Sequence, residues 1–213
     1  MITTLAAGYV FYYLVVMIGI SIGYHRYFSH RAFETTPAME YLMLFCGMLC
    51  GGRSPLTWAA VHRMHHATSD TENDPHSPKY VGAWRVITSQ WSIKHIPRKY
   101  IADLVKNTRL QFFHRYGRYI HFFFALNVVA LLGWQAFFIV VVIPFALAYI
   151  GFGLLNYMAH RNGEPADVPL MNLLAPGEGC ISIITNTQEH IHSTVMILQA
   201  GLLRKILTRT KHD

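Results

Sequence analysis

Lysine and arginine are missing from two long stretches of this 213-residue chain: none precedes Arg26, and none lies between Arg118 and Arg161. Charged residues make up only 14% of the whole, against 53% apolar residues, a balance that points to a membrane protein. Cysteine is scarce. Cys46, Cys50 and Cys180 match no zinc or redox spacing, and the first two sit in an apolar run as filler, so no oxidising compartment is required. The first apolar run has no basic region ahead of it and no small-residue cleavage site, which argues against a signal peptide. Internal repeats and low-complexity segments are absent. So is a basic–aromatic binding module, and the net charge of +7 is therefore not read as a nucleic-acid footprint.

The charge that is present falls in residues 26–118 and from Arg161 onward. Placing both regions on the cytoplasmic side satisfies the positive-inside rule. Residues 1–24 are then a first crossing. Residues 38–52 are apolar but short and interrupted by Glu40, which suits an interfacial or partly inserted helix. Residues 57–118 form a basic cytosolic cap, in which Trp84, Ile87 and Trp91 have the spacing of an amphipathic helix on the headgroups. Residues 119–159 make two crossings joined at Gly133-Trp134-Gln135, the second kinked at Pro144. The expectation is one all-α integral membrane domain with about three transmembrane helices, interfacial helices and a histidine-rich cap.

Histidine is what the chain has in plenty, thirteen in all. The stretch WAAVHRMHHATSDTENDPH, from Trp58 to His76, holds His62, His65 and His66 in an HxxHH spacing that places three imidazoles on one helix face. Such crowding is costly unless a metal binds it. His25 and His30 stand where the first crossing emerges. Five residues turn an α-helix by about 500°, leaving these two about 140° apart, so both reach one cluster only if the helix loosens or two metals are held. Asn156 and His160 share a face at the end of the last crossing. His95 and His114 stand alone and read as surface residues. Six candidate histidines exceed one zinc site. Histidine ligation of two redox metals beside a membrane suits dioxygen activation on a lipid, and the reading from spacing is a di-metal oxidase.

HRYFSHRAF at 25–33, WAAVHRMHH at 58–66, the following DTENDPHSP, NYMAH at 156–160 and PGEG at 176–179 resemble the membrane fatty-acid desaturases of the stearoyl-CoA desaturase type. The resemblance implies a helical membrane fold whose cytosolic cap holds two irons. It also implies O2 as co-substrate and insertion of a cis double bond into a long acyl chain. Carried over by motif, His25, His30, His62, His65, His66 and His160 are iron ligands, and Asn156 ligates through a water. Trp58 lines the acyl channel, and Asp74 and His76 support the ligands. The acyl group would come on CoA, on a carrier protein or in a lipid. Electrons would come from a separate donor protein of cytochrome b5, ferredoxin or rubredoxin type.

The chain departs from that family twice. One crossing, not a pair, precedes the first histidine motif, which reads as a truncated N-terminus or a reduced form. The third motif, an HxxHH just after GEG, is missing: the chain reads CISIITNTQEHIHS, with His190 and His192 too far along and wrongly spaced. Residues 180–199 are read as a frameshifted version of that motif, since codons for Cys-Ile-Ser-Ile-Ile-Thr shifted by one base permit HxxHH. The rival readings are a related membrane hydroxylase or ketolase, and a non-catalytic remnant that cannot hold two irons.

Overall fold

The computed structural model describes residues 2–90, 93 and 95–179. Trp91 and the segment 180–199 lie outside the described residues. Among the described residues every regular element is helical. Helix α1 (Ile2–Val16) runs on without a break into a π-helical segment, Met17–Ser29. Helix α2 (Pro37–Leu49) starts on a Thr36 cap with Pro37 in its first turn, and α3 (Pro55–Thr68) repeats the device with Ser54 and Pro55. Short helices α4 (Pro78–Val81), α5 (Ala83–Ile87) and α6 (Arg98–Ile101) follow. Helix α7 (Thr108–Phe137), a π turn (Phe138–Val142) and α8 (Ile143–His160) then follow as one apolar stretch. A 3-10 turn, Pro169–Leu173, comes last.

Two helical stretches are long and apolar enough to cross a membrane, Ile2–Ser29 and Thr108–His160. The second has 53 residues; straight, it would reach about 80 Å, far beyond a hydrocarbon core of about 30 Å. It is broken at Gly133, whose φ of 81° and ψ of 177° are not helical. The apolar stretch begins at Thr108, eleven positions before the expected Tyr119, because Asn107 caps it by accepting from the Arg109 and Leu110 amides. Pro144 answers its expected kink with a widened turn. It cannot donate to the preceding turn, and Phe138–Val142 ahead of it is π-helical.

Helix α2 packs along the π segment, and α1 packs against α8. The first contact is backbone to backbone: a Cβ on Gly19 would overlap Gly47 and Cys46 of α2. Glu40, which interrupts the apolar run of α2, is buried as a junction. It accepts from Tyr27 Oη at 2.6 Å, Arg109 Nε at 2.6 Å and Asn107 Nδ2 at 3.1 Å, which ties α2 to the π segment and to the start of α7. Burial would raise its pKa, but these three bonds and the arginine charge hold it below the usual carboxylate range. Helix α5 is only five residues long and cannot carry the expected amphipathic run from Trp84 to Trp91. It buries Val86, leaves Trp84 outside, and sets Ile87 against Gly153 of α8.

Candidate metal centre

The π segment settles how His25 and His30 can face one place. The His30 amide donates to the His25 carbonyl at 3.1 Å, five residues back. In a π-helix a residue sits over the one five before it, as it does not in an α-helix. The two rings are 4.8 Å apart between centroids. The helix loosens, as one of the two alternatives required.

Helix α3 supplies the next three histidines but does not aim them together. On an α-helix His66 leads His62 by about 40° and His65 lags it by about 60°, so His65 and His66 diverge by about 100°. His62 and His66 therefore join His25 and His30. The Nε2 of His62 lies 3.1 Å from that of His30 and 3.0 Å from that of His66, and its ring is 4.5 Å from that of His25. Ligand atoms of these four residues all fall within 4.8 Å of one another. His65 turns the other way, into a group with Asp74 and His76 that meets the same test. The ring of His76 stacks on that of His65 at 4.2 Å, so His76, expected only to support the ligands, lies among the metal-capable residues. His160, at the end of α8, brings its ring to 4.7 Å from His65. Asn156 lines the same cavity. His95 is exposed, while His114 takes a hydrogen bond with Ser54, the cap of α3.

Buried carboxylates lie beside one nitrogen of three of these imidazoles. Asp74 lies 2.9 Å from His65 Nδ1, Asp70 lies 2.9 Å from His160 Nδ1, and Glu178 lies 2.5 Å from His25 Nδ1. For His65 and His160 the carboxylate contact is a hydrogen bond, which fixes the tautomer and frees Nε2 to ligate, whereas Glu178 meets His25 at ion-pair distance outside hydrogen-bond geometry. Asp70 and Glu178 were not singled out in the sequence, although both sit in motifs that were, TSDTENDPH and PGEG. Around Asp74 burial would raise the pKa, but the His65 bond and the His65 and His76 charges outweigh it and bring it to about 2. Burial first, and neighbouring imidazoles second, push His30 down to about 4 and His66 and His76 down to about 3, and hold His62 well below its usual value. All four are neutral at pH 7, the form that binds metal.

A cavity of about 300 Å³ joins the two groups, its apolar wall formed by Trp58, Val61, Phe152 and Leu155. Trp58 stacks on His62 at 4.9 Å and 15°, one face toward the ligands and the rest along that wall. The residues fit metal ions. His25 Nε2 is buried and makes no hydrogen bond among the described residues, an orphan that a metal would satisfy. The spacings of 3.0 and 3.1 Å also match adjacent ligands on one ion, which at bonds of about 2.1 Å stand about 3 Å apart.

A family model described as fatty acid desaturase matches residues 3–176. The sn-1 stearoyl-lipid 9-desaturase of Anabaena variabilis is 33% identical over 129 residues, covering 58% of this chain and 47% of that protein. The sn-2 palmitoyl-lipid 9-desaturase of Nostoc sp. (strain 36) is 30% identical over 161 residues, covering 71% of this chain and 56% of that protein. The hex-5-enoyl-[acyl-carrier protein] acetylenase of Moorena producens is 51% identical over 63 residues, 29% of this chain and 19% of that protein. The chain thus spans about half or less of the length of these relatives.

Proposed function

The chain belongs to the fatty acid desaturase family, of the delta-9 type, and from that premise we propose that it is a membrane di-iron acyl desaturase. The observation that carries this reading is the pair of adjoining histidine groups that meet at α3, with buried carboxylates beside three of the imidazoles. His25, His30, His62 and His66 would hold one iron. His65, His160, His76 and, through a water, Asn156 would hold the other, with Asp74, Asp70 and Glu178 orienting them. The irons, when bound, supply activation of O2. The balance is one O2, two electrons and two protons consumed, two hydrogens removed from adjacent carbons, and two waters formed; the electrons come from a separate donor protein of cytochrome b5, ferredoxin or rubredoxin type.

The chain's own residues do the rest. Trp58, Val61, Phe152 and Leu155 offer an apolar wall for the acyl chain and keep water from the reacting carbons. Asp74, Asp70 and Glu178 orient the imidazoles so that Nε2 faces the metal. The break at Gly133 supports two crossings within 108–160 and hence three in all, with the histidine groups on the cytoplasmic side where the basic residues lie. The relatives' substrates, stearoyl and palmitoyl lipids in two cases and a carrier-bound acyl chain in the third, leave the carrier to be a lipid, a carrier protein or CoA.

Expression in a desaturase-deficient host, followed by fatty-acid analysis, tests this. A new monounsaturated chain is the expected product; a hydroxylated one would favour a related hydroxylase. A second reading has its own observation: no HxxHH follows Gly179, where CISIITNTQEHIHS stands. On that reading the protein keeps the family's shape without turnover, and metal analysis gives fewer than two irons per chain. Genomic reads across codons 180–199 decide whether a shifted frame is the cause.

A further inference from the structure

A second concavity lies behind the histidines. It is an open cleft of about 480 Å³ lined by Ser29, Arg31, Arg63, Lys99, Asp103 and Lys106. It shares no lining residue with the histidine cavity, yet adjoins the first histidine group in sequence at two points: Ser29 and Arg31 flank His30, and Arg63 follows His62. Four of its side chains are cationic and Asp103 is its one acid.

The arrangement of those charges is built into the fold. Arg63 is held rigidly at the back: Nε donates to the Ser29 carbonyl at 2.8 Å, Nη2 to the Phe28 carbonyl at 2.8 Å, and Nη1 to Asp103 at 2.7 Å. Arg31 takes a left-handed backbone, φ 52°, just past the π segment. Glycine is the low-cost residue at such a helix end, and an arginine there costs about 1 kcal/mol. Its guanidinium reaches the same Asp103. Asp103 is therefore shared by two guanidiniums and has little left to offer Lys99 or Lys106. Both lysines are exposed; Lys99 lies over the Tyr100 ring, and neither ammonium donates a hydrogen bond among the described residues.

We infer that this cleft is a phosphate-binding site, in which Lys99, Lys106 and Arg31 donate to the oxygens of a phosphoester and Arg63 supplies a fixed charge behind them. Guanidinium and ammonium groups converging on a concave surface suit phosphate oxygens. The excess of positive charge excludes metal cations. The polar lining is wrong for an acyl chain. A carboxylate would neutralise less of the excess than a phosphate does. The phosphate has two sources, the headgroup of an anionic membrane lipid or a soluble acyl carrier such as one bearing phosphopantetheine. The inference does not rest on metal binding at the histidines.

The test uses the full chain in neutral detergent. Pyrophosphate and 4′-phosphopantetheine are titrated by calorimetry, and native mass spectrometry measures retention of phosphatidylglycerol against phosphatidylcholine from mixed micelles. The Lys99→Ala/Lys106→Ala variant should bind at least tenfold more weakly, and Lys99→Arg/Lys106→Arg should bind as the parent does. Equal melting temperatures in the three proteins check that folding is not the cause. Should the alanine pair fail to fold, Lys99→Gln/Lys106→Gln, with the same expected loss, takes its place. Binding of the soluble probes identifies a soluble carrier, and selective retention of phosphatidylglycerol identifies a headgroup. Either result, lost in the lysine-free variant, supports the site. Binding of neither class by the parent, or binding unchanged by loss of both lysines, overturns it.

Discussion

Replacing Arg63 with methionine should damage the proposed metal centre from behind. Arg63 lies on α3 between His62 and His65, on the side away from the histidine cavity. It donates to the carbonyls of Phe28, Ser29 and Tyr100 and to Asp103. Phe28 and Ser29 end the π segment, so their carbonyls are the orphans that a helix terminus leaves, and both residues are buried. Methionine fills much of the space but donates nothing. Asp103 keeps Arg31 and can resolvate, so its loss is small; the two carbonyls cannot, and each costs about 1–3 kcal/mol. The sum is about 3 kcal/mol, which for a chain of this size lowers the melting temperature by about 6–12 °C. The same bonds set the distance between the segment bearing His25 and His30 and the helix bearing His62 and His66. Their loss should therefore weaken metal binding by about 10–100-fold, the usual effect of removing a group that orients ligands. Lysine, a point charge without the planar fork, should recover little of either effect. Melting in detergent and titration with Co(II), read by its visible absorption, measure the two quantities. Unchanged Co(II) affinity in a destabilised variant would make the clamp purely structural, and no change in either would refute the reasoning.

Asp74→Asn keeps the shape but turns one acceptor into a donor facing the Asp70 and His76 amides and His65 Nδ1; Co(II) affinity should fall about 10–100-fold, by the same titration. His62→Ala removes the imidazole central to the first group and should abolish desaturation in any active version while membrane insertion persists; normal product formation would remove His62 from the ligand set. Gly153→Ala drives a Cβ into the Ile87 carbonyl and should cost about 1–3 kcal/mol, seen as a drop of several degrees in melting temperature. In the metal-free protein His30 and His66 titrate at about 4 and about 3 when folded, against 6.5 unfolded. Below pH 6.5 the unfolded chain gains protons that the folded one refuses, so stability should fall as pH drops from 6.5 toward 4, with no matching loss between 7 and 8.

The two long apolar helical stretches were legible because a helix able to span a bilayer demands a long uncharged run, and the chain has only two such regions. The Gly133 break was legible for a related reason: a run of that length cannot stay straight. The junction at Glu40 was not legible, because composition registers a charge in an apolar helix only as an interruption. Its partners Tyr27, Asn107 and Arg109 lie far along the chain, and only folding brings them to it. Asp70 and Glu178 were hidden in the same way. A carboxylate beside an imidazole is a tertiary relation, and neither acid stands at helical spacing from the histidine it lies beside.

The histidines show where spacing alone stops. A motif gives the order of side chains, but direction follows from pitch, and pitch is a property of the folded segment. His25 and His30 diverge by about 140° at an α-helical pitch and converge at a π-helical one. The sequence could state that condition without choosing. What makes the wider pitch stable is not in the HRYFSH motif itself. Gly19 and Gly23 let α2 approach the segment closely, and Arg63 takes up the carbonyls that its end leaves over. The reverse holds on α3, where the regular pitch that joins His62 to His66 must turn His65 away. One irregular helix brings His25 and His30 together, and one regular helix both adds His62 and His66 to them and turns His65 into the second group.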